Sequence, residues 1–472
     1  MFGVKKGKIY SILAILAVGT TLPSVAHAED LSELRQQMEV LLQRVNELEA
    51  KERANKAKLA KVEKVTKASF RPTTRKDGIV KTRRKTSPDE IDELTGKLFA
   101  IGDTIIEIGG FTKLDLIYDV DESTGDLLVP QAISVLADND ENRFGAHAKE
   151  SRLFIKAATP VNLGSIRAHI EGDFFSGTGN EIVTNGFGFR LRHAYGEINT
   201  KHHNVLAGQF WSAFVPIEAY PSTVDFGGPA GNSFLRQAQL RYTYKPTDKL
   251  SFVASLENSE TTFRTGALEA GAGVNAESTN FGLRAGLDTI PDFVFSALYR
   301  GDRGLVKGAV LLRELNAPNS SSSEFGYGLQ LSGRYKLTDK FEAIGSALYG
   351  EGVGRYVFNG IGQGGFVSNF TGTGTGIANG DIEAIETASG YLKLNYKVSD
   401  EVTLAAVYGH YEILDTFTDL DTERLQTVHG SVYYKPFEDI TIGGEVSYAR
   451  RELANGLDDD LVRFQASVKY QF

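Results

Sequence analysis

The sequence predicts an all-β transmembrane barrel of about 16 antiparallel strands, preceded by an N-terminal coiled-coil helix. Three observations predict this fold class: an export signal, a long region whose hydrophobic period is two, and a short turn phrase that recurs four times. A closed barrel pairs all of its backbone groups between strands, which a bilayer demands because lipid offers no hydrogen bonds.

The amino-acid composition excludes several classes of chemistry. The chain has 472 residues, no cysteine and a formal net charge of −9. The lack of cysteine excludes disulfides, thiol catalysis and cysteine-ligated metals. Its length is compatible with several soluble domains or with one large barrel. After the N-terminus no apolar run approaches about 18 residues, so the sequence predicts no transmembrane helix.

The first 28 residues predict a secretory signal peptide. Lys5, Lys6 and Lys8 precede the short apolar run 9–18, and Ala26-His27-Ala28 supplies a cleavage site with small residues. The mature chain is therefore expected outside the cytoplasm, where a role in binding nucleic acid is not expected.

Residues 29–67 predict a periplasmic coiled coil. Apolar residues alternate at steps of three and four from Leu31 to Val62, with Glu52 and Asn55 as polar members of the seam. Residues 68–97 predict a basic linker, because 70–86 hold seven basic residues and one acidic residue. The linker is either a solvated tether or a contact for anionic lipid or cell-wall polymer such as peptidoglycan.

Residues 98–472 predict the outer-membrane barrel. In the last strand, apolar Val462, Phe464 and Ala466 alternate with polar Arg463 and Gln465, so one face is apolar and the other polar. Similar runs give 16 strands, an even number: 105–119, 149–160, 163–175, 187–199, 203–211, 234–246, 249–258, 278–288, 292–302, 325–337, 340–350, 387–398, 401–412, 426–436, 440–450 and 461–472.

A repeated turn orients this barrel. YKPTDK (244–249), YKLTDK (335–340), YKVSDE (396–401) and YKPFED (434–439) each follow an even-numbered strand. Tyrosine suits the membrane interface, lysine extends to the polar layer, and the remaining polar residues reverse the chain. Short turns on one rim and long loops on the other are typical of an outer-membrane barrel.

Successive side chains of a strand point alternately outward and into the lumen, and we call this alternation strand parity. It predicts a lumen rich in arginine. Residues 98–472 hold 31 basic and 47 acidic residues, yet much of the acid falls in the predicted loops. A cationic wall would concentrate anions; alternatively, the arginines pair with acids across the wall. The predicted basic pore-lining residues are Arg152, Lys156, Arg167, Arg190, Arg192, Arg241, Arg284, Arg300 and Arg334.

One long loop is a candidate constriction. Residues 212–233 carry three prolines together with Glu218 and Asp225, and the loop either folds into the pore or caps it from outside. No nucleotide-binding fingerprint is present. His429 and Ser431 have the spacing of an outer-membrane phospholipase pair, but parity turns both side chains toward the lumen. We therefore expect no enzyme, cofactor or metal site.

Several stretches resemble one known family, the DcaP-like porins of Gram-negative bacteria. They are IGGFTKLDLIYD (108–119), SRLFIKAATP (151–160), RAHIEGDFF (167–175), FRLRHAYGEI (189–198) and LAGQFWSAF (206–214). The resemblance covers nearly the whole mature chain. It implies a homotrimer in the outer-membrane lipid that conducts small organic anions, dicarboxylates above all, with the rod in the periplasm. Matching arginines are Arg152, Arg167, Arg190 and Arg192.

Two other functions are considered beside a passive porin. One is an envelope-anchoring barrel that grips the cell wall through its rod and basic linker. The other is an outer-membrane phospholipase that uses Ser431.

Overall fold

The structure is a computed structural model that describes residues 97–136, 141–180, 185–264, 284–286, 288–317, 323–358, 365–367 and 381–472, together with Gln43. The predicted signal peptide and coiled coil lie outside the described residues apart from Gln43, and the basic linker does so apart from Lys97. Within the described residues, no helix is long and apolar enough to cross a membrane.

The described residues form 22 strands and three 3-10 turns, at Pro130–Ala132, Ile217–Ala219 and Gly354–Tyr356. The strands are β1 (Lys97–Ile101), β2 (Thr104–Val120), β3 (Arg143–His147), β4 (Arg152–Val161), β5 (Gly164–Asn180), β6 (Gly186–Thr200), β7 (His203–Trp211), β8 (Arg236–Thr247), β9 (Leu250–Glu257), β10 (Thr262–Arg264), β11 (Arg284–Ala285), β12 (Asp292–Arg300), β13 (Gly304–Asn316), β14 (Ser323–Lys336), β15 (Phe341–Glu351), β16 (Gly365–Val367), β17 (Ile382–Ala384), β18 (Glu386–Lys397), β19 (Val402–Ile413), β20 (Thr422–Phe437), β21 (Ile440–Leu453) and β22 (Asp458–Gln471).

Sixteen of these strands close into an antiparallel barrel, which confirms the predicted barrel and its number of strands. They are β2, β4 to β9, β12 to β15 and β18 to β22, and each pairs with its two neighbours around the wall. The barrel closes where β22 pairs with β2, with Leu116 opposite Ala466. The short strand β1 pairs with the start of β2. Phe472 exchanges two backbone hydrogen bonds with Gly110 of β2.

One predicted strand was misplaced, although the total of 16 was right. β9 pairs directly with β12, Ser255 opposite Val294, so the predicted strand 278–288 has no place between them. The strand that replaces it is β13, in a stretch predicted to be a loop. The alternation of polar and apolar residues is absent from β13, because its inward-facing Leu311 is itself apolar. Leu311 is fully buried in an apolar cluster with Phe214.

The outer face of the barrel is apolar. Leu331, Ile170 and Ile198 are 61 %, 58 % and 54 % exposed, as expected of side chains that meet lipid. The tyrosines of the four repeated turns are likewise exposed near the rim of the short turns. A fifth turn of the same kind, Tyr299 to Arg303, joins β12 to β13 and was missed with that strand.

Long connections fill part of the interior. Residues 212–235 and 121–136 pack against the inner side of the wall, as their buried hydrogen bonds with the strands show. Beyond the barrel, β10, β11, β16 and β17 form a separate four-stranded sheet. Phe263, Leu315, Ala317 and Ile382 form its apolar core.

Candidate functional site: the barrel lumen

Residues 212–235, called the inner loop here, cross the lumen. Lysine, tyrosine and threonine side chains from strands on several sides of the wall bind this loop. The contacts are Lys307 Nζ to Val215 O (2.7 Å), Tyr391 Oη to Ala219 O (2.9 Å), Lys113 Nζ to Val224 O (2.9 Å) and Ala230 N to Thr427 Oγ1 (3.0 Å). The loop thus occupies space that solutes would otherwise cross.

Glu445 of β21 is the main acidic anchor of the inner loop. Its carboxylate accepts hydrogen bonds from the backbone N–H groups of Val224 (2.9 Å) and Asp225 (3.3 Å). Ser431 Oγ donates a third hydrogen bond (2.6 Å), and His429 Nδ1 lies 3.1 Å from the same carboxylate. Ser447 Oγ also donates to this carboxylate (3.2 Å), so five polar groups hold Glu445 in place and fix the turn of the loop.

The same contacts bear on the phospholipase interpretation. His429 is fully buried and Ser431 is 6 % exposed, both on the inner side of the wall. Each bonds Glu445, and Glu445 in turn bonds the inner loop. This arrangement explains the pair as a loop anchor, whereas a lipid-hydrolysing pair would have to reach the outer face.

Glu218 and Asp225, the predicted constriction acids, occupy different surroundings. Glu218 lies 3.7 Å from Lys307 and 3.8 Å from Arg300. Burial alone would raise the pKa of Glu218, but these two cations outweigh it and the pKa is lowered. Asp225 is deeply buried, which raises its pKa despite Arg463 Nη1 at 3.2 Å.

Five of the predicted pore residues, on the neighbouring strands β4 to β6, all pair with carboxylates. Arg192 is fully buried, so its guanidinium has no solvent-exposed surface in the lumen. The pairs are Arg152 to Glu171 (3.5 Å), Lys156 to Glu107 (3.4 Å), Arg167 to Glu197 (3.5 Å), Arg190 to Asp173 (2.8 Å), and Arg192 to Glu171 (2.6 Å) and Asp173 (2.8 Å). On this side of the wall the basic residues are thus paired with acids, which is the second of the two arrangements that the sequence left open.

The remaining predicted pore residues are dispersed. Arg300 pairs with Glu218, and Arg334 lies 3.9 Å from Glu342. Arg241 donates to the Trp211 carbonyl and lies over the Phe210 ring. Arg284 belongs to β11 in the outer sheet, because the strand predicted around it is not part of the barrel.

Five inward cations in the described part of the chain lack a carboxylate partner, and of these only Arg241 was among the predicted pore residues. Among the described residues, no Asp or Glu lies within ion-pair distance of Arg236, Arg241, Arg355, Lys393 or Lys469. Lys393 instead donates to the Ser222 carbonyl of the inner loop, and Lys469 lies 5.2 Å from the Phe111 ring. No one-dimensional pattern reveals which cations find a carboxylate.

A bend of the wall brings Arg236 inward. β6 and β7 pair only up to Ala194 opposite Gln209, and β7 leaves β6 beyond that point. Gly208 permits this departure: its φ of +131° is strained for other residues, and a Cβ would lie 2.3 Å from the Ala194 carbonyl oxygen. By the alternation of side chains along β8, Arg236 would point outward. Because of the bend, Arg236 and Trp211, which is paired with it across the two strands, instead lie against residues of the interior such as His193.

A family model described as DcaP outer membrane protein matches residues 20–472. The chain belongs to this family. Membership confirms the resemblance drawn from the quoted stretches and places the protein in the bacterial outer membrane. A comparison with curated proteins found no match.

The fold of this DcaP family member is similar to that of one solved structure in particular. The crystal structure of the outer membrane channel DcaP of Acinetobacter baumannii has a TM-score of 0.64 and 22 % identity, covering 79 % of this chain and 99 % of that chain. An anion-selective porin from Comamonas acidovorans is more distant, with a TM-score of 0.49, 9 % identity and coverage of 78 % and 100 %.

Among the residues that the structure describes, no group of three or more His, Asp or Glu side chains could hold a metal ion.

Proposed function

We propose that this DcaP family member is a trimeric porin for passive diffusion of small organic anions, dicarboxylates among them. The observation that carries the anion preference is the set of inward cations without a carboxylate: Arg236, Arg241, Arg355, Lys393 and Lys469. An unbalanced cation in a narrow, partly desolvated passage attracts anions and repels cations.

Two inward acids without a Lys or Arg partner in the described part of the chain are engaged by the inner loop. Glu257 and Glu445 have no Lys or Arg partner among the described residues, but they are 1 % and 4 % exposed. Both bind the inner loop, because Glu257 accepts from Ala213 N (2.8 Å) and Glu445 from Val224 N (2.9 Å). Permeating ions therefore meet half-buried Lys469 and Arg241 rather than these carboxylates.

Reversal potentials in planar bilayers test this function. The wild type is expected to favour Cl⁻ over K⁺ in a KCl gradient and to pass succinate in a potassium succinate gradient. Replacing Lys393 and Lys469 together by Gln should lower the Cl⁻/K⁺ permeability ratio severalfold. Lys249→Gln is the matched control. Lys249 lies outside the lumen in a short turn between strands, where it is 55 % exposed and paired with Asp302.

Two outcomes would contradict the proposal. A cation-selective channel would reject the anion preference. A barrel without measurable conductance would favour the envelope-anchoring alternative, with the inner loop as a plug. The trimer is tested separately by the mass of the full-length protein in detergent, corrected for bound detergent.

A further inference from the structure

We propose that Arg236, Phe226 and Phe234 form a binding site for monocarboxylates that carry an aromatic ring. The proposal deepens the proposed function and rests on it. It begins from the one guanidinium of this part of the lumen that no carboxylate neutralises.

Arg236 is held by aromatic rings instead of acids. Its guanidinium carbon lies 4.7 Å from the Trp211 ring and 5.1 Å from the Phe234 ring. Its Nη1 is buried and has no hydrogen-bond partner among the described residues. A buried donor without a partner is costly, and a carboxylate could accept from a guanidinium through both oxygens. The site is therefore built for an anion that the protein does not itself provide.

The neighbouring guanidinium groups already have carboxylate partners. Arg190 donates through Nε (2.9 Å) and Nη2 (2.8 Å) to the two oxygens of Asp173. Arg192 donates to Glu171 (2.6 Å) and to Asp173 (2.8 Å). Arg190 and Arg192 each have a carboxylate partner and Arg236 has none among the described residues, so one carboxylate of a ligand would complete the pairing of Arg236.

The surface beside Arg236 is aromatic and half-buried. Phe234 meets Phe226 edge to face, with centroids 5.7 Å apart at 83°, and Phe226 stacks on Phe175 at 4.8 Å and 17°. Phe358 lies 5.3 Å from Phe234 on the other side. Rings prefer edge-to-face or offset neighbours at such separations, so a ligand ring can extend the cluster. An aliphatic acid of equal charge lacks these contacts.

Arg190 closes the far end of this surface. Its guanidinium carbon lies 5.8 Å from the Phe226 ring and 5.5 Å from the Phe175 ring. Arg190 and Arg236 therefore flank the Phe226–Phe234 pair. Electropositive groups at both ends favour a ring rich in π electrons between them.

Block of single-channel KCl current by added acids tests the site in the full-length protein. We expect benzoate to bind the wild type about tenfold more tightly than acetate and more tightly than succinate. Replacing Phe226 and Phe234 together by Leu should abolish most of this benzoate preference. Acetate binding and the Cl⁻/K⁺ ratio should stay unchanged, because the charges remain.

Substitutions of Arg236 separate charge from geometry. Arg236→Gln should weaken acetate and benzoate alike, whereas Arg236→Lys should restore acetate more fully than benzoate, since the planar fork is lost. Lys469→Gln is a control that should lower the Cl⁻/K⁺ ratio and leave the benzoate-to-acetate ratio unchanged. Heat-modifiable migration on gels checks that each variant has folded.

The wild-type measurement alone can overturn the inference. Equal block by benzoate and acetate in an anion-selective channel would reject the aromatic site and leave the proposed function standing. Cation selectivity of the wild type would instead reject the proposed function itself. Unchanged benzoate preference in the folded Phe226 and Phe234 double variant would also reject the site.

Discussion

Arg463 and Asp119 face each other across the seam where the last barrel strand meets the first. Arg463 Nε lies 2.6 Å from Asp119 Oδ1 and Nη2 lies 2.8 Å from Oδ2, with both side chains almost fully buried. The third nitrogen, Nη1, reaches Asp225 of the inner loop at 3.2 Å. One guanidinium therefore joins barrel closure to loop placement.

Loss of Arg463 should destabilise the barrel strongly. Arg463→Ala leaves Asp119 and Asp225 buried without their cation, a change that costs about 3–5 kcal/mol. Asp119→Asn should cost less, because an amide can still bond the guanidinium. Denaturant unfolding in detergent, followed by the fluorescence of Trp211, measures both. Lys249→Ala, in an exposed turn, should leave the midpoint unchanged; an equal loss there would argue against a special role for the seam.

Weakening the Glu445 anchor should open the pore. Glu445→Gln removes the charge that holds the Val224 and Asp225 N–H groups and the Ser431 hydroxyl. The inner loop should then move, and single-channel conductance should rise by roughly half or more with additional current noise. Glu342→Gln, on the wall opposite Arg334, is the control. Unchanged conductance and noise in Glu445→Gln would show that other contacts suffice to hold the loop.

Glu218 should make the anion preference depend on pH. Its pKa lies below the ordinary 4.5, since Lys307 and Arg300 offset the effect of burial. A lowered pKa means that the ion pairs are complete above pH 4.5 and are lost as the pH falls through the lower folded value.

Glu218→Gln should therefore raise the Cl⁻/K⁺ permeability ratio at pH 7, because two cations lose their carboxylate. The wild type should show a similar increase only in acid, and the variant should show a smaller one. Reversal potentials between pH 7 and pH 3 measure this. If both proteins respond identically to acid, other carboxylates control the response.

Leu331 tests contact with lipid. It projects outward from β14 and is 61 % exposed. Leu331→Arg would place a charge in hydrocarbon and should destabilise the barrel by about 2–4 kcal/mol in lipid vesicles. Leu331→Met is the matched control and should be nearly neutral. If arginine is tolerated as well as methionine in equilibrium unfolding, this position does not face the hydrocarbon core.

Particular residues show how far the pattern of the sequence extends. Alternation located most of the wall because lipid outside and water inside impose opposite polarity on successive side chains. It failed at β13, where Leu311 is apolar although it faces inward. The inner loop covers that side chain with Phe214, so the interior is locally a dry core and the alternation disappears.

The arginines of the lumen show a second limit of prediction from the sequence. Parity placed Arg190 and Arg192 inward, but their bidentate pairing with Asp173 and Glu171 depends on the register of β5 and β6 and on a bulge near Glu171. Arg236 could not be found by parity, since the bend at Gly208 turns the end of the β7–β8 hairpin into the barrel.

By itself, the sequence determined the membrane barrel, its number of strands and the rim that carries the short turns. Those properties depend on local chemistry repeated along the chain, namely alternating polarity and aromatic turn residues. Only the tertiary structure decided which charges remain uncompensated in the lumen. A charge is neutralised through space by groups far apart in the chain, as Arg463 is by Asp119, and no one-dimensional pattern records that distance.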